Sequence, residues 1–111
     1  MTLKELVKIQ QEFDSSHTGK FDWDKAIDND PEMLGFLVLC LCGEAGEAAN
    51  LVKKIIRGDF TLSEKKTEVV SELADVMIYL LKLSYQLGFD LEEECIKKIN
   101  INKGRFIKYE K

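Results

Sequence analysis

The chain has 111 residues, of which 45% are hydrophobic and 32% are charged, a balance typical of folded globular proteins rather than disordered ones. This length predicts a single domain, residues 1–111, with one small core. The net charge of -4 argues against a nucleic acid polymer as partner, because such proteins usually carry a basic excess. The N-terminus lacks the apolar core of a signal peptide, and no apolar run approaches membrane-spanning length. We therefore expect a cytoplasmic protein with no membrane partner.

Cysteine and histidine usage offers little for redox or zinc chemistry. The three cysteines, Cys40, Cys42 and Cys95, form no Cys-x-x-Cys pair, and His17 is the only histidine. A mixed Cys/His metal site needs more ligands than this. We expect buried, reduced thiols that act as small apolar residues.

The first predicted helix begins after Thr2, which forms a capping-box pattern with Glu5. It ends near the turn-forming residues that start at Asp14, and residues 14–30 are expected to be irregular. Trp23 is the notable residue of this segment. A tryptophan in a polar loop either anchors the loop to the core, which is the commoner role, or stacks on a flat ligand.

The second predicted helix starts at Asp30-Pro31, an N-cap followed by a proline at the first helical position. No helix breaker follows until Gly58, so length favours a helix over a buried strand. Its apolar stripe contains two acids, Glu44 and Glu47. The adjacent Gly43 and Gly46 disfavour a helix interior, which suggests that space or a close backbone approach is needed there, although they could equally serve tight helix packing.

The third predicted helix starts near Thr61 or Ser63 and runs to Leu87, before Gly88. One edge carries the acids Glu68, Glu72 and Asp75 together with Tyr79. The rest of the helix circumference is apolar over a very broad arc. A single neighbouring surface cannot cover this arc, and so short a chain offers few others. This breadth predicts a partner subunit.

The fourth predicted helix starts at Asp90 and carries Lys98, Asn102 and Arg105 at intervals of four and three residues, hence on one face. Two cations and an amide can hold phosphate oxygens and bind a sugar or base. A basic last turn is also common simply because it suits the helix dipole. Gly104 could end the helix before Arg105 joins that face.

The four helical acids form the most informative pattern. Glu44 and Glu47, like Glu72 and Asp75, are three residues apart, which places each pair about 60° apart on one helix face. Clustered carboxylates select hard cations such as Mg²⁺, which also takes phosphate oxygens as ligands. A di-iron site would require Glu-x-x-His partners that are absent, and salt bridges to Lys or Arg are the structural alternative. The pattern predicts phosphate chemistry.

The order and spacing of Glu44-x-x-Glu47 and Glu72-x-x-Asp75 resemble the E-x-x-E…E-x-x-D signature of the MazG-like nucleoside triphosphate pyrophosphohydrolases. The segments from Asp75 to Leu80 and from Leu87 to Glu92, and the Lys98-x-x-x-Asn102-x-x-Arg105 pattern, are similar to the same family. The resemblance implies an all-α, four-helix bundle-like protomer that assembles as a homodimer or a dimer of dimers. It also implies Mg²⁺, with Mn²⁺ as a substitute, and hydrolysis of a nucleoside or deoxynucleoside triphosphate between the α and β phosphates.

Carried over residue by residue, the resemblance makes four acids metal ligands and catalytic residues: Glu44, Glu47, Glu72 and Asp75. One of them, or Glu68, would orient the attacking water. The implied substrate contacts are Lys98, Asn102 and Arg105 on phosphates or sugar, Lys54 in support, and Trp23 over the base. The resemblance leaves base and sugar preference open. The alternative function is a non-catalytic helical module that binds nucleotide or a partner protein.

Overall fold

A computed structural model describes all 111 residues, and every regular element in it is helical. The elements are α1 (Leu3–Ser15), α2 (Pro31–Ile56), α3 (Leu62–Leu87), α4 (Leu91–Arg105) and a short 3-10 helix at Ile107–Tyr109. The all-α prediction is confirmed, and the four α-helices correspond to the four predicted ones. Arg105 is the last residue of α4, so Gly104 does not end that helix.

Local side-chain signals define the helix ends. The Asp30 carboxylate accepts hydrogen bonds from the backbone N–H groups of Glu32 and Met33, at 3.0 and 3.2 Å. Thr61 and Glu64 form a reciprocal capping box at the start of α3. Gly88 ends α3 with φ of 89°, a left-handed conformation that favours glycine. These ends follow from short-range chemistry, which is why the sequence predicted them.

The two long helices, α2 and α3, form the main packed unit. α1 packs on α3, whereas α4 contacts α1 and does not pack along α2 or α3. A small core lies where α2, α3 and the α1–α2 loop meet; its buried members are Ile27, Met33, Leu37 and Leu83. The radius of gyration is 17.1 Å, compared with about 13 Å expected for a compact domain of this length. The protomer is therefore open rather than closed into a tight bundle.

Few side chains are fully enclosed within one chain. Only 10 of the 111 residues are buried, and many large apolar side chains are exposed. The prediction that all three cysteines are buried is wrong: all are free thiols, but Cys42 and Cys95 are exposed and only Cys40 is partly buried. The physical reason is that the apolar stripe of α2 is wider than the surface α3 covers, so Cys42 lies on the uncovered side.

The α1–α2 loop is fixed to the C-terminal half of α3 by Gln86. The buried Gln86 side chain donates to the backbone carbonyls of Trp23 and Lys25, at 2.8 and 2.9 Å. The Ile27 N–H in turn donates to the Gln86 carbonyl at 2.7 Å. Trp23 thus helps to anchor the loop through its backbone, while 39% of the residue remains exposed.

By length and composition alone, α2 could cross a membrane, with a mean hydropathy of 1.4 over its most apolar window. The expectation that no apolar run approaches this length therefore needs correction. The run from Leu34 to Cys42 raises the average enough to offset Glu44 and Glu47 further along. One face of this helix packs on α3, as core helices of water-soluble folds also do.

Candidate active site

Three of the four predicted acids meet where α2 packs on α3. One carboxylate oxygen from each of Glu44, Glu72 and Asp75 lies within 4.8 Å of the others, and all three residues are partly buried. Glu47 lies one turn beyond Glu44 on α2, is exposed, and stands outside this group of three. The expectation that Glu44 and Glu47 lie in the core-facing stripe of α2 therefore holds for Glu44, whereas Glu47 is exposed but still interacts with Glu72 across the helix pair.

Glu72 is the electrostatic centre of this group. Its pKa is raised to about 7, first by its interaction with Glu47, then by Glu44 and by partial burial. Its Oε2 atom is buried and has no hydrogen-bond partner. None of the ion pairs in the protein involves Glu44, Glu47, Glu72 or Asp75. The salt-bridge alternative thus finds no support for these four acids.

The residues present fit a divalent cation. Like charges this close repel one another, and a buried carboxylate oxygen without a partner is costly. A hard cation removes both penalties, because Mg²⁺ and Mn²⁺ prefer carboxylate oxygens. An added Cβ at Gly43 or Gly46 would meet no atom within 4 Å. The glycines make no close approach within the protomer, and they leave open space beside the acids.

Tyr79 is a residue of this site that the sequence did not single out as functional. Its ring packs against the small core. Burial raises the pKa of Tyr79 to about 12, with further contributions from neighbouring Cys40, Glu44 and Asp75. The phenol therefore lies beside the acidic group. The sequence pattern could have identified Tyr79 as a site residue, because it lies on the same edge of α3 as Glu72 and Asp75.

The other predicted site residues are spread over the protomer. Lys54 is partly buried in the last turn of α2. Lys98 and Arg105 are exposed and Asn102 is partly buried, on a helix that does not pack along α2 or α3. The structure therefore does not bring this α4 face to the acids of the same chain. Glu68 is exposed and pairs with Lys65 at 3.2 Å.

A buried polar network below the loop was also missed. Lys82 donates to the Asp14 carboxylate at 2.8 Å, and both residues are almost fully buried. Asp14 also accepts hydrogen bonds from Tyr85 and, at 2.9 Å, from Gln10. The Lys82 ammonium lies 5.8 Å from the centre of the Trp23 ring. The sequence indicates only a turn at Asp14, because its partners Lys82 and Tyr85 lie about 70 residues away along the chain.

Comparison with known proteins places these acids in a described family. The family model for the MazG nucleotide pyrophosphohydrolase domain matches residues 35–104, which include all four acids. Gene 37 protein of Mycobacterium phage L5 is 41% identical over 75 residues, covering 65% of this chain and 63% of that protein. Human dCTP pyrophosphatase 1 is 28% identical over 109 residues, covering 95% of this chain and 59% of the relative.

The chain thus spans about three fifths of the length of these two curated relatives, 63% and 59% respectively. No solved structure matches it significantly. The family match nevertheless covers more than half of the chain and includes the helix pair that brings the acids together. The chain belongs to the MazG nucleotide pyrophosphohydrolase domain family.

Proposed function

We propose that this protein hydrolyses nucleoside or deoxynucleoside triphosphates between the α and β phosphates, giving the monophosphate and pyrophosphate. The observation that carries the proposal is the group formed by Glu44, Glu72 and Asp75, which contains a buried, unpartnered carboxylate oxygen within the family match. No Lys or Arg side chain neutralises these closely spaced acids. They are therefore suited to bind a divalent cation that also binds a polyphosphate. The fold alone would not support this function.

Glu44, Glu72 and Asp75 would hold Mg²⁺, or Mn²⁺ in its place. When bound, the ion would neutralise part of the triphosphate charge and lower the pKa of the water that it coordinates. Glu47 is exposed and interacts with Glu72, so we propose that it completes the set of four metal ligands or orients the attacking water. Glu68 is less suitable for this role, because it is already paired with Lys65.

The substrate contacts extend beyond the acids. Trp23 would cover the base, and Lys54 would assist at the phosphate side from the end of α2. Lys98, Asn102 and Arg105 would bind phosphates or sugar. Because α4 does not pack along the acid-bearing helices of its own chain, we propose that this face reaches the site of a second subunit.

The surface of α2 and α3 supports such an assembly. Each helix exposes a heptad-spaced stripe of apolar and small residues, a pattern that buries well against another helix. On α2 the stripe comprises Val38, Cys42, Ala45, Ala49, Val52 and Ile56, and on α3 it comprises Val70, Leu73, Met77 and Leu80, of which the last two are partly buried. We propose a homodimer or a dimer of dimers built on these stripes.

The proposed setting is housecleaning of the nucleotide pool in the cytoplasm, with free nucleotides rather than nucleic acid polymers or membranes as partners. The similarity to a protein named dCTP pyrophosphatase 1 makes dCTP the first substrate to test. The alternative function, a non-catalytic module that binds nucleotide or protein, uses the same scaffold but needs no turnover.

Incubation with each common NTP and dNTP and Mg²⁺, followed by separate assays for pyrophosphate and orthophosphate, tests the proposal. We expect pyrophosphate and the monophosphate in equal amounts for at least one nucleotide. Orthophosphate as the first product would contradict the cleavage position. Nucleotide-dependent thermal stabilisation without any product would favour the non-catalytic module.

A further inference from the structure

The helices α2 and α3 meet in regular layers of side chains. The short connection at residues 57–61 makes them antiparallel neighbours. Three layers are defined by contacts between the helices: Glu47 interacts with Glu72, Glu44 lies with Asp75, and Cys40 neighbours Tyr79. From each layer to the next, the step back along α2 equals the step forward along α3. These contacts therefore fix the register of the helix pair.

The same register places two lysines opposite each other, towards the turn that joins the helices. Lys54 lies seven residues beyond Glu47, and Lys65 lies seven residues before Glu72. Seven residues are about two turns, or about 10 Å along the axis, so each lysine shares the helix face of its acid. Both lysines are partly buried. Two layers beyond the acids, the seam between α2 and α3 therefore carries a pair of cations.

The two ammonium groups have few partners of their own. No ion pair in the protein involves Lys54. Lys65 pairs with Glu68 at 3.2 Å and lies 4.4 Å from the centre of the Phe60 ring. The Lys65 side chain is 25% exposed, whereas that of Glu68 is 56% exposed. A pair with so exposed a carboxylate contributes little to stability, so a bound anion can replace Glu68.

The position of these lysines indicates which anion fits. Two facing ammonium groups repel each other, and an anion between them removes this repulsion. A triphosphate with its α phosphate at the acids can extend along the helix pair towards the loop or towards the turn. Towards the loop, the cation on the acid-bearing edge of α3 is Lys82, which is buried against Asp14. Towards the turn, both Lys54 and Lys65 can bind phosphate.

Building on the proposed function, we infer that Lys54 and Lys65 bind the β and γ phosphates and so hold the pyrophosphate leaving group. The oxygen of the attacking water adds to the α phosphorus, and a proton passes to solvent. The bond from the α phosphorus to the bridging oxygen breaks, and pyrophosphate leaves with the electron pair. The two ammonium groups neutralise the charge that develops on it. Lys65 is thus a substrate-binding residue supplied by α3, separate from the cations of α4.

Binding of inorganic pyrophosphate in the presence of Mg²⁺ tests this site without any turnover. Lys54→Met and Lys65→Met keep most of the side-chain length and remove the charge, so calorimetry should show about tenfold weaker affinity in each. Lys53→Met and Lys66→Met are the matched controls, because these lysines are exposed neighbours on other faces of the same helices. The control proteins should bind pyrophosphate as the wild type does.

Wild-type affinity in Lys65→Met, or an equal loss in Lys65→Met and Lys66→Met, would overturn the inference. Mg²⁺ affinity, measured without pyrophosphate, separates a lost anion contact from a distorted site. It should not fall in Lys54→Met or Lys65→Met, because neither lysine is placed among the metal ligands. A matching loss of Mg²⁺ affinity would also overturn the inference.

Turnover provides the second readout. For any nucleotide that is hydrolysed, added pyrophosphate should inhibit Lys54→Met and Lys65→Met about tenfold more weakly than the wild type. If hydrolysis proceeds and this inhibition is unchanged, the inference fails and the proposed hydrolysis stands. If no nucleotide is hydrolysed but pyrophosphate binding depends on both lysines, the phosphate site stands and the proposed hydrolysis fails.

Discussion

Glu72 differs from the other acids of the site because its surroundings disfavour its own charge. Glu47 and Glu44 raise its pKa to about 7, and one of its oxygens is buried without a partner. The charge of Glu72 is repelled by those of Glu44 and Glu47, and a bound cation would reduce this repulsion. At the residue scale, this makes Glu72 the most sensitive probe of the proposed metal site.

Glu72→Gln should therefore have opposite effects on stability and on activity. Removing the charge relieves repulsion, so the metal-free variant should melt at a higher temperature than the wild type at pH 8. The same change removes a ligand charge, so stabilisation by Mg²⁺ should disappear and kcat/KM should fall by about a hundredfold or more. Glu68→Gln, at an exposed acid of the same edge, is the control and should change neither quantity appreciably. A metal-free Glu72→Gln protein less stable than wild type would contradict this account.

The raised pKa of Glu72 also predicts how metal binding and stability vary with pH. The pKa rises from 4.5 in an ordinary carboxyl group to about 7 in the folded protein, so between these values the folded state holds more protons than the unfolded chain. Stability of the metal-free protein should then fall as pH rises through this window. Because a cation must displace the proton, Mg²⁺ affinity should increase with pH by up to about tenfold per unit below pH 7. Calorimetric titrations at several pH values check this, and a flat profile would argue against it.

At the scale of elements, the Asp14–Lys82 pair joins α1 to α3 beneath the loop. Both side chains are almost fully enclosed, at 5% and 7% exposure. Breaking a buried pair from one side is costly, because the remaining charge keeps its desolvation penalty without its partner. Removal of either partner alone should therefore weaken the packing of α1 on α3.

Asp14→Leu should destabilise the protein by about 3–5 kcal/mol, because Lys82 is left buried and unpaired. The double variant Asp14→Leu/Lys82→Met should recover the part of this loss that comes from the unpaired Lys82 charge. It still leaves Tyr85 and Gln10 without the acceptor that Asp14 provides. Urea unfolding of the two variants and the wild type measures the difference. Equal destabilisation of the single and double variants would mean that the unpaired Lys82 charge is not the source of the loss.

At the scale of the whole molecule, the protomer exposes more apolar surface than its own helices cover. Val70 and Leu73 are 54% and 55% exposed on α3, on the side opposite the acids. Contiguous apolar surface of this kind usually marks an interaction site. A second copy that packs on this surface would bury it.

Leu73→Lys should therefore weaken self-association, because a charge in the centre of an apolar interface is left desolvated. Light scattering with size-exclusion chromatography should show a shift from a multiple of the chain mass towards the single-chain mass. Thr67→Lys adds the same charge at an exposed α3 position away from the stripe and should leave the assembly unchanged. A wild-type protein that is monomeric at micromolar concentration would refute the proposed interface.

The sequence by itself determined the four helices, their caps and the pairing of acids within each helix, because these depend on residues three or four positions apart. The spacing of Glu44, Glu47, Glu72 and Asp75 was enough to identify a phosphate-type metal site as the best hypothesis. What it could not determine were contacts between helices, whose partners are distant along the chain.

Only the tertiary structure brought Glu44 of α2 to Glu72 and Asp75 of α3, placed Tyr79 beside them, and paired Asp14 with Lys82. It also left the α4 face of Lys98, Asn102 and Arg105 away from the acids of its own chain. The physical reason is common to all of these: helix periodicity fixes which residues share a face, whereas the axial register and tilt of two packed helices decide which faces meet. The acid pairs could thus be identified from the sequence, but the group that they form across α2 and α3 could be identified only from the tertiary structure.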